Sequence, residues 1–300
     1  MVIHTAEGQP NKKSVWIQLL NEIRPEQWTK NLLIFAALLF SNKSIPHIMI
    51  YKTVVAFILF CFVSSCIYIF NDFIDREADR NHPQKKHRPI ASGALNAYFA
   101  LTFGTIVFIT STVFAFALNS RFGLLIVGYF IINIAYSKWL KHVVIIDVMV
   151  IAIGFVFRAL SGGIIIEVPF TPWFLLCILL LSLFLALSKR KSESLLLRNN
   201  LGTHRKVLEK YSEELLNQLI SITTTATILF YSLFTFKSGH SIYLMGTIPL
   251  VIYGIFRYLY LIHVEELGDK PEKILIGDKH IMGTVILFSI YVVVVIKHFG

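Results

Sequence analysis

Residues 53–80 read TVVAFILFCFVSSCIYIFNDFIDREADR. The stretch opens with 18 residues that carry no charge, 53–70, enough helix to cross a hydrocarbon core about 30 Å thick. It then turns acidic without a break. Asn71, Asp75 and Asp79 are spaced four apart, so a helix that continues past the apolar run projects them from one face. Asp72 stands about a quarter-turn away and is expected to contribute less. Like charges one turn apart repel, and an ordinary helix gains nothing by stacking them. The chain continues with Arg80, His82, Lys85, Lys86, His87 and Arg88, so acid is followed at once by base.

The rest of the chain has the same character. Its 300 residues are 55% hydrophobic and only 15% charged, with a mean hydropathy of +0.67. A soluble domain carries about 25% charged residues. Apolar segments fall at roughly 31–42, 53–71, 95–118, 122–136, 143–162, 172–188, 216–236, 241–262 and 280–296. The expectation is an all-α, polytopic protein with nine membrane-spanning helices in one integral membrane domain over residues 1–300. Residues 1–23 read as a polar cytosolic tail without a cleavable signal. Cys61, Cys66 and Cys177 lie inside apolar runs and read as small packing residues. The net charge of +10 does not point to nucleic acid, because the basic residues cluster in the short loops between spans.

Those loops set the expected orientation. With the N-terminus in the cytosol, 21 of the 28 Lys and Arg residues fall on the inner side, 5 on the outer side and 2, Arg158 and Arg257, inside spans. The positive-inside rule then predicts a multi-pass protein of the inner (cytoplasmic) membrane, with its polar motifs on the cytosolic side.

Divalent metal offsets repulsion among carboxylates, and Mg²⁺ prefers a few of them together with phosphate oxygens and water. Acid followed by base at a membrane boundary therefore points to a Mg²⁺–diphosphate site facing lipid, with Asn71, Asp72, Asp75 and Asp79 as its metal group. His82, Lys85 and Arg88 lie between Pro83 and Pro89 or beside them, in a stiff loop able to bring cations onto phosphate. Arg88 is the best suited, because a guanidinium forks onto phosphate oxygens. Further candidates are Tyr136, Lys141 and Asp147, then Arg158, eleven residues beyond Asp147 and on a similar helical face. For Arg158 a buried structural ion pair is the plainer alternative. Lys189, Arg190 and Glu193 sit at a span end, and Lys30 and Asn31 open the first span. Headgroup anchoring competes with ligand contact for their lysines. There is no GxxxxGK[ST] phosphate loop, no GxGxxG and no HExxH.

The run Asn71-Asp72-Phe73-Ile74-Asp75-Arg76-Glu77-Ala78-Asp79 is an NDxxDxxxD motif, and with it the chain resembles the UbiA superfamily of intramembrane prenyltransferases. The resemblance covers nearly the whole chain. It implies nine helices around a central cavity, with Asp-rich motifs binding Mg²⁺ and a diphosphate. Members acting on aromatic rings carry a second motif, DxxxD. Here Ile151 stands four residues after Asp147, so that pair is missing. RPEQWTKN at 24–31, HPQKKHRPIASG at 82–93, SKRKSE at 188–193 and PEKILIGDK at 271–279 look instead like the decaprenyl-phosphate phosphoribosyltransferase branch. That resemblance implies transfer of 5-phosphoribose from phosphoribosyl diphosphate to a polyprenyl phosphate. Asp75, Asp79 and Asp147 would be catalytic, and the Lys, Arg, His, Tyr, Asn and Glu candidates would contact substrate. Prenyl transfer to an aromatic acceptor is the nearest rival activity, and lipid transport a rival of another class. A motif at the membrane rim rather than the midplane weighs against the transporter.

Overall fold

The computed structural model describes residues 14–41, 45–198, 207–239, 241–265, 274 and 277–299. The quoted PEKILIGDK segment therefore lies mostly outside the described residues. Ten α-helices are described: α1 (Val15–Ile23), α2 (Ala36–Leu39), α3 (His47–Arg80), α4 (Ala97–Leu118), α5 (Ser120–Lys138), α6 (Ile146–Ile166), α7 (Pro172–Arg198), α8 (Glu213–Lys237), α9 (Ile248–His263) and α10 (Lys279–Phe299). No strand occurs among the described residues.

Eight of these elements, counting α9 together with the 3₁₀ turn that precedes it, are long and apolar enough to cross a membrane. Consecutive helices pack side by side, α3 on α4, α4 on α5, α6 on α7 and α7 on α8. Their ends carry the expected signals. Asn96 accepts from the Tyr98 and Phe99 amides, Asn119 from Arg121 and Phe122, and Ser212 from Leu215. Each caps amides that the helix itself leaves without partners.

The ninth segment is different. Residues Pro25–Phe35 form a 3₁₀ helix that runs into the four-residue α2. Eleven residues at about 2.0 Å and four at about 1.5 Å reach roughly 28 Å, close to a hydrocarbon thickness. A tightly wound helical segment of 15 residues thus covers the distance an α-helix needs about 20 for. It packs on α6 and α3. Gly162 permits this, because a Cβ there would lie 2.0 Å from the Ile34 carbonyl oxygen.

Two boundaries matter for function. The acidic motif, read as following the second span, is the last part of one helix of 34 residues, α3. Val15–Ile23, expected as the end of a polar tail, is a helix docked on α3. Its Leu19 packs with Ile69, Ile90, Leu95 and Ala100.

Candidate active site at the polar rim

The loop after α3 folds back over the acids. Ile90 and Leu95, each 2% exposed, are buried in the cluster with Leu19 and Ile69. Arg80 holds the loop by donating to the Ala91 carbonyl at 3.2 Å. This brings Arg88 between two carboxylates. Its Nη1 donates to Asp72 Oδ1 at 2.9 Å and to Asp79 Oδ2 at 2.6 Å. Arg24 donates to the other Asp72 oxygen, and Lys85 lies 4.0 Å from Asp79.

The expected grouping of the acids changes accordingly. Asp72, read as the outlying member, is 2% exposed and shares Arg88 with Asp79. Their spacing of seven residues is two helical turns, which puts both on one face. Asp75 turns to the other flank, where Lys141 Nζ contacts both its oxygens at 2.6 and 2.7 Å. Asn71 is half-buried on the same helix. The reason for the change is tertiary, since α1 and the loop supply cations on one side and the α5–α6 turn on the other.

His82 is held in one tautomer. Its Nδ1 accepts from the Gln84 and Lys85 amides at 3.1 and 3.0 Å, so the ring proton sits on Nε2. Nε2 is buried and has no hydrogen-bond partner. Burial, then the neighbouring Lys85 and Arg88, push the imidazole down to about 4. It is a neutral N–H donor at physiological pH, suited to a phosphate oxygen.

A second cluster forms where α6 begins. Asp147, fully buried, accepts from Arg190 Nε at 2.8 Å and from Tyr211 Oη at 2.6 Å. Arg190 also donates to Glu193, and the Tyr136 hydroxyl lies within its electrostatic reach. Tyr211 Oη in turn accepts from the Ile145 amide at 2.7 Å. Ile145 has φ 70°, a conformation that strains a β-branched residue, and the Tyr211 contact helps hold it. Burial, then the bond to Asp147, push the Tyr211 phenol up. Lys30 and Lys189 are half-buried on the 3₁₀ segment and α7.

Two expected contacts are not brought to this rim. Arg158 donates to Asn31 Oδ1 at 2.8 Å, to the Gly154 carbonyl at 2.7 Å and to Tyr129 Oη at 2.8 Å. It lies among the rings of Phe60, Tyr129 and Phe155. Eleven residues of helix separate it from Asp147 by about 16 Å. The shared face of α6 is real, but the partner of Asp147 is Arg190. Asn31 and Arg158 tie the 3₁₀ segment to α5 and α6 in the bundle interior. Conversely, Glu22, Arg24 and Tyr211 belong to the rim and were not among the sequence candidates. Arg24 stands in the quoted RPEQWTKN stretch, whereas Glu22 and Tyr211 carry no local signal.

Among the described residues no three His, Cys, Asp or Glu side chains converge as a metal cage. The donor chemistry fits an ion that takes one or two carboxylates and completes its shell with phosphate oxygens and water, as Mg²⁺ does. Phosphates would also satisfy the guanidinium and ammonium groups interleaved with those acids.

The profile of the UbiA prenyltransferase family matches residues 31–276. This chain is a UbiA family member. Among UbiA relatives, it is 33% identical to decaprenyl-phosphate phosphoribosyltransferase of Mycolicibacterium smegmatis over 91% of both chains. The Corynebacterium glutamicum protein of that name is 32% identical, with 92% of this chain and 87% of that protein covered. The fold also matches a UbiA homolog from Archaeoglobus fulgidus, solved bound to GPP and Mg²⁺. The TM-score is 0.71 at 20% identity, over 93% of this chain and 99% of that one. The UbiA chain described here is therefore a membrane-embedded transferase of that fold.

Proposed function

We propose that this protein transfers 5-phosphoribose from phosphoribosyl diphosphate to a polyprenyl phosphate at the cytosolic face of the cytoplasmic membrane. The observation that carries the reading is the state of Asp147. Arg190 and Tyr211 take its two oxygens, and no second acid stands four residues on. The second half of the rim thus lacks a DxxxD pair, and its two carboxylates, Asp147 and Glu193, are both held by Arg190. That suits a donor bearing a 5-phosphate as well as a diphosphate. The curated relatives with this activity, similar over about 90% of the chain, support the same reading.

In this reaction the bond between the ribose anomeric carbon and the diphosphate oxygen breaks, and an acceptor phosphate oxygen bonds to that carbon. Positive charge builds on the sugar while negative charge grows on the leaving group. In this reading Arg24, Lys85 and Arg88 hold the departing diphosphate, and the His82 Nε2–H supplies a neutral donor. Mg²⁺, held through Asp75, Asp79 and their neighbours, would neutralise the same leaving group. The acceptor is already an anion, so little general-base help is required. Lys141, Tyr136 and Arg190 bind the 5-phosphate end, and the polyprenyl tail lies along the apolar helices.

Purified protein given labelled phosphoribosyl diphosphate and polyprenyl phosphate tests this directly. The expected product is a labelled phosphoribosyl lipid that EDTA suppresses. Failure to form it, with transfer of a prenyl group to an aromatic acceptor instead, would refute the reading.

A further inference from the structure

Glu22 sits in the last turn of α1, 1% exposed, and neither of its carboxyl oxygens receives a hydrogen bond. Because α1 docks on α3 and Arg24, two residues on, donates to Asp72, the Glu22 carboxyl is brought beside that of Asp72, close enough for a shared proton and within electrostatic reach of Arg24 and Arg88. Both guanidinium groups donate to Asp72 rather than to Glu22. Two acids from different helices thus meet in a buried place where only one of them has donors. Burying an ionised carboxylate without partners costs several kcal/mol, and a packed helix has no local need for one here. A proton or a cation must satisfy it.

We propose that Glu22 and Asp72 form a divalent-cation pair, so that α1 contributes a metal ligand beyond the acids of the α3 motif. The inference rests on the diphosphate reading of the rim. A cation on these carboxylates releases Arg24 and Arg88 from Asp72 to face phosphate oxygens. Phosphate then meets guanidinium groups that the cation has already freed.

The test uses full-length protein in detergent with no substrate present. Mn²⁺ binding is followed by electron paramagnetic resonance, and the Mg²⁺-induced rise in melting temperature by thermal shift. Glu22→Gln is expected to weaken Mn²⁺ binding by at least about tenfold and to lose the Mg²⁺-induced rise. Its metal-free melting temperature is not lowered, because the amide removes a carboxylate that had no donor. Glu22→Asp, a shorter acid, retains part of the affinity and covers the case in which the amide fails to fold. Mn²⁺ affinity in Glu22→Gln equal to that of the wild type would overturn the proposal, as would wild-type protein that binds no Mn²⁺. Metal binding through Glu22 in a protein that makes no phosphoribosyl lipid supports this site while refuting the activity.

Discussion

Replacing Arg88 by glutamine removes a side chain that donates to both Asp72 and Asp79. Each contact is a charge-assisted hydrogen bond worth about 1.5–3 kcal/mol. Together they give roughly 4 kcal/mol, and partial exposure of the guanidinium reduces this to about 3 kcal/mol. The two acids do not suffer equally. Asp72 keeps Arg24, whereas Asp79, 3% exposed, is left with Lys85 at 4.0 Å. Most of the loss therefore comes from a stranded Asp79 charge. Asp79→Asn removes that charge, so the double variant is expected to be more stable than Arg88→Gln alone. The coupling between the two positions should be about 2 kcal/mol. Reversible unfolding in mixed detergent, measured on both single variants and the double, supplies the cycle. Additivity within about 0.5 kcal/mol would show that Arg88 does not neutralise Asp79, and the placement of the loop over α3 would fall with it.

Asp75→Asn is expected to abolish phosphoribosyl-lipid formation while the protein still folds, and normal turnover in the labelled-donor assay would remove Asp75 from the mechanism. Gly162→Ala should cost about 1–3 kcal/mol of stability by overpacking, because its Cβ would meet the Ile34 carbonyl, whereas Gly283→Ala, with nothing within 4 Å, should be neutral in the same melt. Arg158→Met should change thermal stability and leave KM for the donor unchanged, since Arg158 binds bundle residues and not the rim. Glu22 gives a pH signature in metal-free protein: between its ordinary 4.5 and about 8 the folded form holds more protons than the unfolded one. Its contribution to stability is therefore present at low pH and lost as pH rises through about 8, and Glu22→Gln should flatten that decline in melts across the range.

The fold was legible where length and composition suffice. Eight spans match expected apolar segments to within a few residues at most ends, because a 20-residue apolar run has few other solutions in a bilayer. The first span was legible as apolar but not as a 3₁₀ segment, since its winding answers to the close approach that Gly162 allows. Much of the site was legible too. His82, Lys85, Arg88, Lys141, Asp147, Arg190 and the α3 acids do gather at one end of the bundle. Partnership is what the spacing does not show: it puts Asp147 and Arg158 on a similar face of α6 but not Arg190 opposite Asp147, and it sets Asp72 apart from Asp79, to which Arg88 joins it.

From the amino-acid order alone came a helical membrane protein with an acidic motif followed by bases at one membrane surface, since periodicity, hydropathy and loop charge are local properties. Helix packing decided which charge meets which. Arg24 reaches Asp72 across 48 residues, Lys141 reaches Asp75 across 66, and Tyr211 reaches Asp147 across 64. Such pairs depend on how helices distant in the chain are laid together, and that is settled by van der Waals fit and small residues at their crossings. The burial of Glu22 against Asp72 has the same origin, and nothing in its own stretch of sequence announces it.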